Sequence, residues 1–115
     1  MTSYTNAVLS EVAYAFRKLS QYTPDAAIAF QKLLEATLEK GALPLKVKEL
    51  VLVGIGIALR CEPCVVHHVK KALEAGATPQ EIAEVIALAV LMGGGPVAAS
   101  SAKAFKALEE LIKRE

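Results

Sequence analysis

Apolar residues recur at helical spacing along nearly the whole chain, and no segment alternates as a half-buried strand would. The first predicted helix runs from Thr5 to Ser20. The second starts at Thr23-Pro24-Asp25, with a threonine N-cap and a proline in the first turn, and closes at Lys40-Gly41. Apolar residues recur on one face of the first helix at Val8, Val12, Ala15, Phe16 and Leu19, and the second helix carries Ile28, Leu33, Leu34 and Leu38.

The third predicted helix runs from Leu45 to Ala58 and is almost wholly apolar after its charged first turn. Its β-branched residues are compatible with a strand. The lead-in after Pro44 favours a helix, and Gly54 and Gly56 would let a neighbouring helix approach closely.

Glycine and proline delimit the remaining three predicted helices. The fourth begins near Cys61 and stops at Gly76, a typical glycine just past a helix C-terminus. Thr78-Pro79-Gln80-Glu81 is a capping box that opens the fifth helix. Gly93-Gly94-Gly95 ends the fifth helix and Pro96 begins the sixth, whose apolar face is Phe105, Leu108, Leu111 and Ile112.

These patterns predict a single all-α domain of six helices spanning residues 1–115. The third and fifth helices are apolar on nearly every face, and a domain this small has difficulty covering two such helices. We therefore expect a homo-oligomer that assembles through these apolar helices. The alternative is that both helices are central and the other four wrap them.

Composition narrows the possible partners. Hydrophobic residues make up 54% of the chain and aromatic residues 5%, which indicates an aliphatic core. Thirteen basic and twelve acidic residues leave a formal charge of +1 without a basic cluster, so we expect no nucleic-acid partner. No uninterrupted apolar segment reaches the roughly 18 residues of a membrane span. The first residues lack an export signal, so we expect a cytoplasmic protein with no membrane partner.

The two cysteines, Cys61 and Cys64, form a C-x-x-C pair near the start of the fourth predicted helix. In a reducing compartment this spacing indicates redox chemistry or a metal site. At about 100° per residue, Cys61, Cys64 and His68 fall within an arc of about 60°, which predicts one site. His67 lies off that arc and is expected to face solvent or the edge of the core, and to be dispensable.

A helix N-terminus stabilises a thiolate, so this position suits a reactive cysteine. A disulfide here would close a very short loop, worth only about 2 kcal/mol, and is better suited to forming and breaking than to stapling. Lowering a thiol pKa alone accelerates attack only about threefold, because nucleophilicity falls as the thiolate fraction rises. Fast peroxide reduction therefore also needs a proton shuttle, for which His68 is placed.

Glu49 is the candidate carboxylate to orient His68, following the logic of a nucleophile, base and orienting acid. It stands where the third predicted helix becomes apolar, so it needs either an exposed position or a partner. The alternative is a first-turn charge favoured by the helix dipole or paired with Lys46.

Together Glu49, Cys61, Cys64 and His68 form the spacing E-x11-C-x-x-C-x3-H, which resembles the active-site signature of the alkylhydroperoxidase D-like proteins of the carboxymuconolactone decarboxylase superfamily. The resemblance covers roughly Leu43 to Phe105 and includes Gly76 and the capping box after it.

The resemblance implies a compact all-α fold, trimers or hexamers, and a thiol-dependent peroxidase or disulfide oxidoreductase without haem, flavin or metal. It implies that Cys64 attacks a small hydroperoxide and that Cys61 resolves the product to a disulfide. His68 and Glu49 would form the proton relay. No bound cofactor is implied; an external dithiol reductant, lipoyl-type or thioredoxin-type, would restore the dithiol.

Three other interpretations stay open at this stage. The same four residues could bind zinc, which accepts S, N and O ligands. The chain could act as a carboxymuconolactone decarboxylase-type enzyme, although those sites resemble sets of histidines and polar residues. It could also be an oligomeric scaffold in which the cysteines merely fill space.

Overall fold

The computed structural model describes residues 3–113, and that range contains six helices and no strand. The predicted all-α fold is confirmed, including the helical state of the β-branched third segment. The helices are α1 (Tyr4–Tyr22), α2 (Pro24–Leu38), α3 (Leu45–Ala58), α4 (Glu62–Glu74), α5 (Pro79–Ser100) and α6 (Ala102–Lys113).

The core is built by α3, α4, α5 and α6. Its fully buried side chains are aliphatic, as the composition predicts: Val53, Val66, Val69, Ile82 and Ile86. Gly56 lets α4 approach α3, because a Cβ there would lie 3.3 Å from the Cβ of Cys64. Gly54 similarly admits Val85 of α5, so the predicted close approach at both glycines is confirmed.

Helices α1 and α2 form a hairpin that is far less buried. Thr5 is the only buried residue of α1, and α2 has none. The apolar stripes of the two helices meet, as Phe16 and Phe30 do with ring centroids 5.5 Å apart, and α1 also packs on α4 and α6. Lys48 of α3 holds the end of α2, since its Nζ donates to the carbonyl oxygens of Thr37 (2.8 Å) and Glu39 (2.6 Å).

The helix boundaries match the sequence prediction at one end of α5 and differ at the other. The capping box is present, with Thr78 N donating to Glu81 Oε1 (2.8 Å) and Glu81 N to Thr78 Oγ1 (3.1 Å). At the triple glycine, Gly94 leaves helical geometry (φ 68°), and this kink divides α5 into two helical segments, as the sequence predicts. The second segment contains Pro96 but ends at Ser100, and α6 begins at Ala102, so the predicted sixth helix is interrupted at Ser101.

Apolar side chains of α3 and α5 remain exposed within the single chain, including Ile55, Leu88, Leu91 and Met92. The alternative in which both helices are central and wrapped by the others is therefore wrong. Over residues 3–113, α5 is also the one helix long and apolar enough to span a membrane, with a mean hydropathy of 1.9. Its apolar run is interrupted, as the sequence predicts: Gln80, Glu81 and Glu84 lie in its first turns, the Gly94 kink breaks its geometry, and Ile82 and Ile86 anchor it in the core.

Candidate active site

The turn between α3 and α4 delivers Cys61 to the N-cap of α4. Arg60 adopts a left-handed conformation (φ 56°), Arg60 N donates to Ile57 O, and Cys61 N donates to Gly56 O, both at 3.0 Å. This is a Schellman motif with arginine in the position that glycine usually takes. The same motif ends α4 with Gly76 (φ 98°) in that position, as the sequence predicts.

Cys61 and Cys64 are joined by a disulfide, with the sulfurs 2.06 Å apart. As the N-cap residue, Cys61 also accepts a hydrogen bond through its Sγ from the backbone N–H of Cys64, at 3.3 Å. Pro63 lies in the first helical turn, where a missing N–H costs nothing. Both sulfurs therefore lie where the helix N-terminus stabilises a thiolate once the bond is reduced.

Glu49 and His68 meet across the α3–α4 interface. The Nδ1 of His68 lies 2.7 Å from Glu49 Oε1, and Glu49 is only 3% exposed. A buried carboxylate is costly unless it has a partner, and His68 is that partner. The alternative pairing with Lys46 is wrong, because Lys46 pairs with Glu81 at 3.1 Å. Since Glu49 engages Nδ1, the other ring nitrogen of His68, Nε2, is the one available for a thiol or a substrate.

A cavity of about 350 Å³ lies between the first turns of α4 and the α1–α2 hairpin. Its lining from α4 is Pro63, Cys64, His67 and His68, and its lining from the hairpin is Val12, Phe16, Phe30, Gln31 and Leu34. Cys61 and Glu49 do not line it. A larger, shallow depression of about 540 Å³ on α2 contains none of the predicted site residues. The smaller cavity is therefore the candidate substrate site.

His67 is half-buried, which fits the expected core-edge position, but it lines this cavity together with Cys64 and His68 and is therefore not apart from the site. Its ring packs edge-on against His68, with centroids 4.9 Å apart. Burial lowers the pKa of His67, and the nearby charges of His68 and Lys71 act in the same direction. Helical spacing did not predict this position, because the cavity contacts a wider part of the α4 surface than the arc of about 60° that contains Cys61, Cys64 and His68. The His67-His68 doublet was the available sequence signal.

The zinc interpretation requires ligands that converge on one point. Among residues 3–113, no group of three or more histidine, cysteine, aspartate or glutamate side chains is arranged to hold a metal ion.

Comparison with known proteins places this geometry in a family. The model of the carboxymuconolactone decarboxylase family matches residues 24–107. An uncharacterized protein of Cupriavidus necator is 38% identical over 111 residues, covering 96% of this chain and 98% of that protein.

Two solved structures are similar over almost the full chain. A carboxymuconolactone decarboxylase family protein from Legionella pneumophila has a TM-score of 0.88 at 30% identity, covering 93% of this chain and 96% of its own. A family protein from Thermotoga maritima, described as a candidate for the antioxidative response, has a TM-score of 0.82 at 28% identity, covering 91% and 90%. The chain belongs to the carboxymuconolactone decarboxylase family.

Proposed function

We propose that this protein is a thiol-dependent peroxidase that reduces hydroperoxides through the Cys61–Cys64 pair. The observation that carries the proposal is the arrangement of Glu49, His68 and Cys64: the buried Glu49 holds His68 at 2.7 Å, while Cys64 and His68 line one apolar cavity. A nucleophile, a proton carrier and an orienting acid are thereby available at a single opening.

In the first step the Cys64 thiolate attacks the terminal oxygen of the hydroperoxide. The O–O bond breaks, Cys64 is oxidised to a sulfenic acid, and the departing alkoxide takes a proton to leave as an alcohol. His68 accepts the thiol proton and returns it to the alkoxide, and Glu49 stabilises the imidazolium that forms between these events.

In the second step the Cys61 thiolate attacks the sulfenic sulfur of Cys64. The S–S bond forms and the sulfenic oxygen leaves as water after protonation. One hydroperoxide and two thiols thus become one alcohol, one water and one disulfide. An external dithiol, lipoyl-type or thioredoxin-type, returns the two electrons and two protons and leaves as its own disulfide.

The cellular setting is part of the same proposal. A disulfide that cycles needs a reducing compartment, so the cytoplasm is the proposed location. The exposed apolar side chains of α3 and α5 are proposed to pack in a homo-oligomer, a trimer or hexamer, because monomeric proteins rarely leave such patches uncovered. The antioxidative description of the Thermotoga maritima protein is in line with the reaction proposed here.

Hydroperoxide consumption in the presence of a dithiol tests this function. Cys64→Ser removes the nucleophile and is expected to abolish turnover. Cys61→Ser leaves the first step possible, so the pre-reduced variant, assayed after the dithiol has been removed, is expected to consume one equivalent of hydroperoxide and to accumulate a sulfenic acid. His68→Gln and Glu49→Gln are expected to slow turnover by about 100-fold or more, the usual contribution of a positioned proton carrier. Full activity of Cys64→Ser contradicts the assignment.

The same preparation tests the competing zinc interpretation. Metal analysis after purification under reducing conditions is expected to find less than stoichiometric zinc. One tightly held zinc ion per chain, lost in both cysteine variants, would replace the peroxidase proposal with a metal site.

A further inference from the structure

A polar cluster joins Glu62, the first residue of α4, to α1 and α6. Glu62 directly follows Cys61, and its carboxylate reaches these two helices. Tyr4 Oη of α1 donates to Glu62 Oε2 at 2.7 Å, and Lys103 Nζ of α6 lies 3.4 Å from the same oxygen. Lys106 Nζ lies 4.7 Å from the centroid of the Tyr4 ring. We call Tyr4, Glu62, Lys103 and Lys106 the Glu62 cluster.

The cluster keeps Glu62 ionised. The hydrogen bond from Tyr4 lowers the pKa of Glu62, and the positive charges of Lys103 and Lys106 add to this effect. Burial and the Glu62 carboxylate raise the pKa of Tyr4, so Tyr4 stays protonated as the donor. The Lys103 side chain is 57% exposed, so water screens its compensation of the Glu62 charge. A negative charge is thus fixed on the residue that follows Cys61.

This charge lies beside the sulfur that the helix favours as a thiolate. Cys61 Sγ is the N-cap acceptor of α4, and the positive end of the helix dipole stabilises its anion. Because consecutive Cα atoms are about 3.8 Å apart, a carboxylate on the residue after Cys61 lies within roughly one screening length, about 10 Å at 0.1 M salt, of the Cys61 Sγ. Glu62 therefore opposes the helix at Cys61, whereas Arg60, exposed on the other flank, supports it.

We propose that Glu62, held by Tyr4 and Lys103, is a positioning residue whose fixed negative charge opposes the Cys61 thiolate and thereby sets the balance between dithiol and disulfide. This inference rests on the proposed function, because it assigns a role within the same redox cycle. Glu62 does not line the cavity and is given no contact with the hydroperoxide.

The step that Glu62 acts on is the reduction of the disulfide by a dithiol donor. A donor thiolate attacks Cys64 Sγ, which lines the cavity; the S–S bond breaks and Cys61 leaves as a thiolate with the electron pair. The second donor thiolate then displaces Cys64, which takes up a proton. The donor becomes a disulfide and two electrons pass to the protein, with one proton taken up at Cys64 and a second at Cys61 wherever the pH lies below the pKa of the Cys61 thiol. The more stable the Cys61 thiolate, the further this exchange proceeds.

Variants that remove a negative or a positive charge from the Glu62 cluster test the proposal. Glu62→Gln is expected to lower the Cys61 thiol pKa, measured in a Cys64→Ser background where Cys61 is the only thiol of the chain. In the unmodified cysteine background, Glu62→Gln is expected to shift the dithiothreitol equilibrium about threefold towards the dithiol, about 14 mV at about 30 mV per tenfold change. Lys103→Gln removes a positive charge that partly neutralises Glu62. It is expected to raise the Cys61 thiol pKa and to shift the dithiothreitol equilibrium towards the disulfide, in both cases by less than Glu62→Gln shifts them in the opposite direction.

Glu74→Gln is the matched control, because Glu74 lies at the other end of α4, pairs with Lys71 at 3.4 Å, and should leave the Cys61 pKa unchanged. If Glu62→Gln does not fold, variants of the exposed Lys103 test the proposal instead. Lys103→Glu is then expected to raise the Cys61 thiol pKa further than Lys103→Gln does. Shifts of the same sign from Glu62 and Lys103, or none from either, overturn the proposal. These measurements use no hydroperoxide, so a failed peroxidase assay with intact shifts contradicts the proposed function alone.

Discussion

The bundle of α3 to α6 and the hairpin of α1 and α2 contribute differently to the site. The bundle holds Glu49, Cys64 and His68 on helices whose facing side chains are fully buried. The hairpin contributes the apolar wall of the cavity, yet Thr5 is its one buried residue. The proposed relay thus sits on the well-packed part of the fold, and the wall that would contact substrate sits on the loosely packed part.

The overall dimensions reflect this division. The Cα radius of gyration is 14.6 Å, compared with about 13 Å for a compact chain of this length. Apolar side chains such as Tyr22 (76% exposed) and Leu33 (60% exposed) stay uncovered on the hairpin. In a single chain the hairpin therefore has little apolar burial to hold it in place.

The largest expected effect is a difference in the free energy of unfolding between a substitution in the bundle and the same substitution in the hairpin. Ile82→Ala removes a fully buried core side chain and is expected to reduce the free energy of unfolding by about 2–5 kcal/mol. Ile28→Ala, the same substitution at a hairpin position that is 54% exposed, is expected to cost about 0.5 kcal/mol or less. Urea denaturation measures both. A cost at Ile28 that grows with protein concentration would show that a second copy covers the hairpin.

A smaller effect is expected at the cavity wall. Phe30→Ala removes half-exposed apolar surface from the lining and should raise the KM for a bulky apolar hydroperoxide about threefold to tenfold, with hydrogen peroxide little affected. Leu33→Ala is the control, because Leu33 lies on the same helix and does not line the cavity. Equal effects of both variants, or of both peroxides, would contradict the assignment of this wall.

The smallest effect concerns pH. The pKa of His67 is lowered by burial from an ordinary value of 6.5, so below that pH the unfolded chain binds a proton that the folded chain does not. The free energy of unfolding is therefore unaffected by His67 titration above about pH 6.5, and it decreases as the pH falls below that value. His67→Phe removes it, so the variant should lose less stability than the original chain between about pH 7.5 and about pH 5.5. Parallel stability curves over this interval would contradict the burial of His67.

Local chemistry explains which features were predictable from the sequence. The capping box at Thr78 and the glycine turn at Gly76 depend on neighbouring residues, and both are present. The meeting of Glu49 with His68 was anticipated because a carboxylate beside an apolar run needs a partner. Helical spacing alone identified the apolar stripes of α1 and α2 but could not say whether anything would cover them.

The missed features depend on tertiary contacts. Arg60 occupies a left-handed position that sequence rules assign to glycine or asparagine, and the turn holds it there because the flanking helices fix the backbone. His67 joins the site because the hairpin closes the cavity over a wider part of α4. Glu62 acquires its partners from α1 and α6, which are distant in sequence.

Lys48 and Glu49 are consecutive residues of α3, and one holds the end of α2 while the other holds His68. Consecutive side chains on a helix point about 100° apart, so inserting or deleting one residue between Glu49 and the buried Val53 would turn both away from their partners together. The rotation of α3 about its own axis therefore determines both how the end of α2 is held and how the His68 imidazole is oriented. Variants that change the length of the α2–α3 connection can keep the contacts of Lys48 and Glu49. Variants that change the phase of Lys48 and Glu49 relative to the core of α3 lose both.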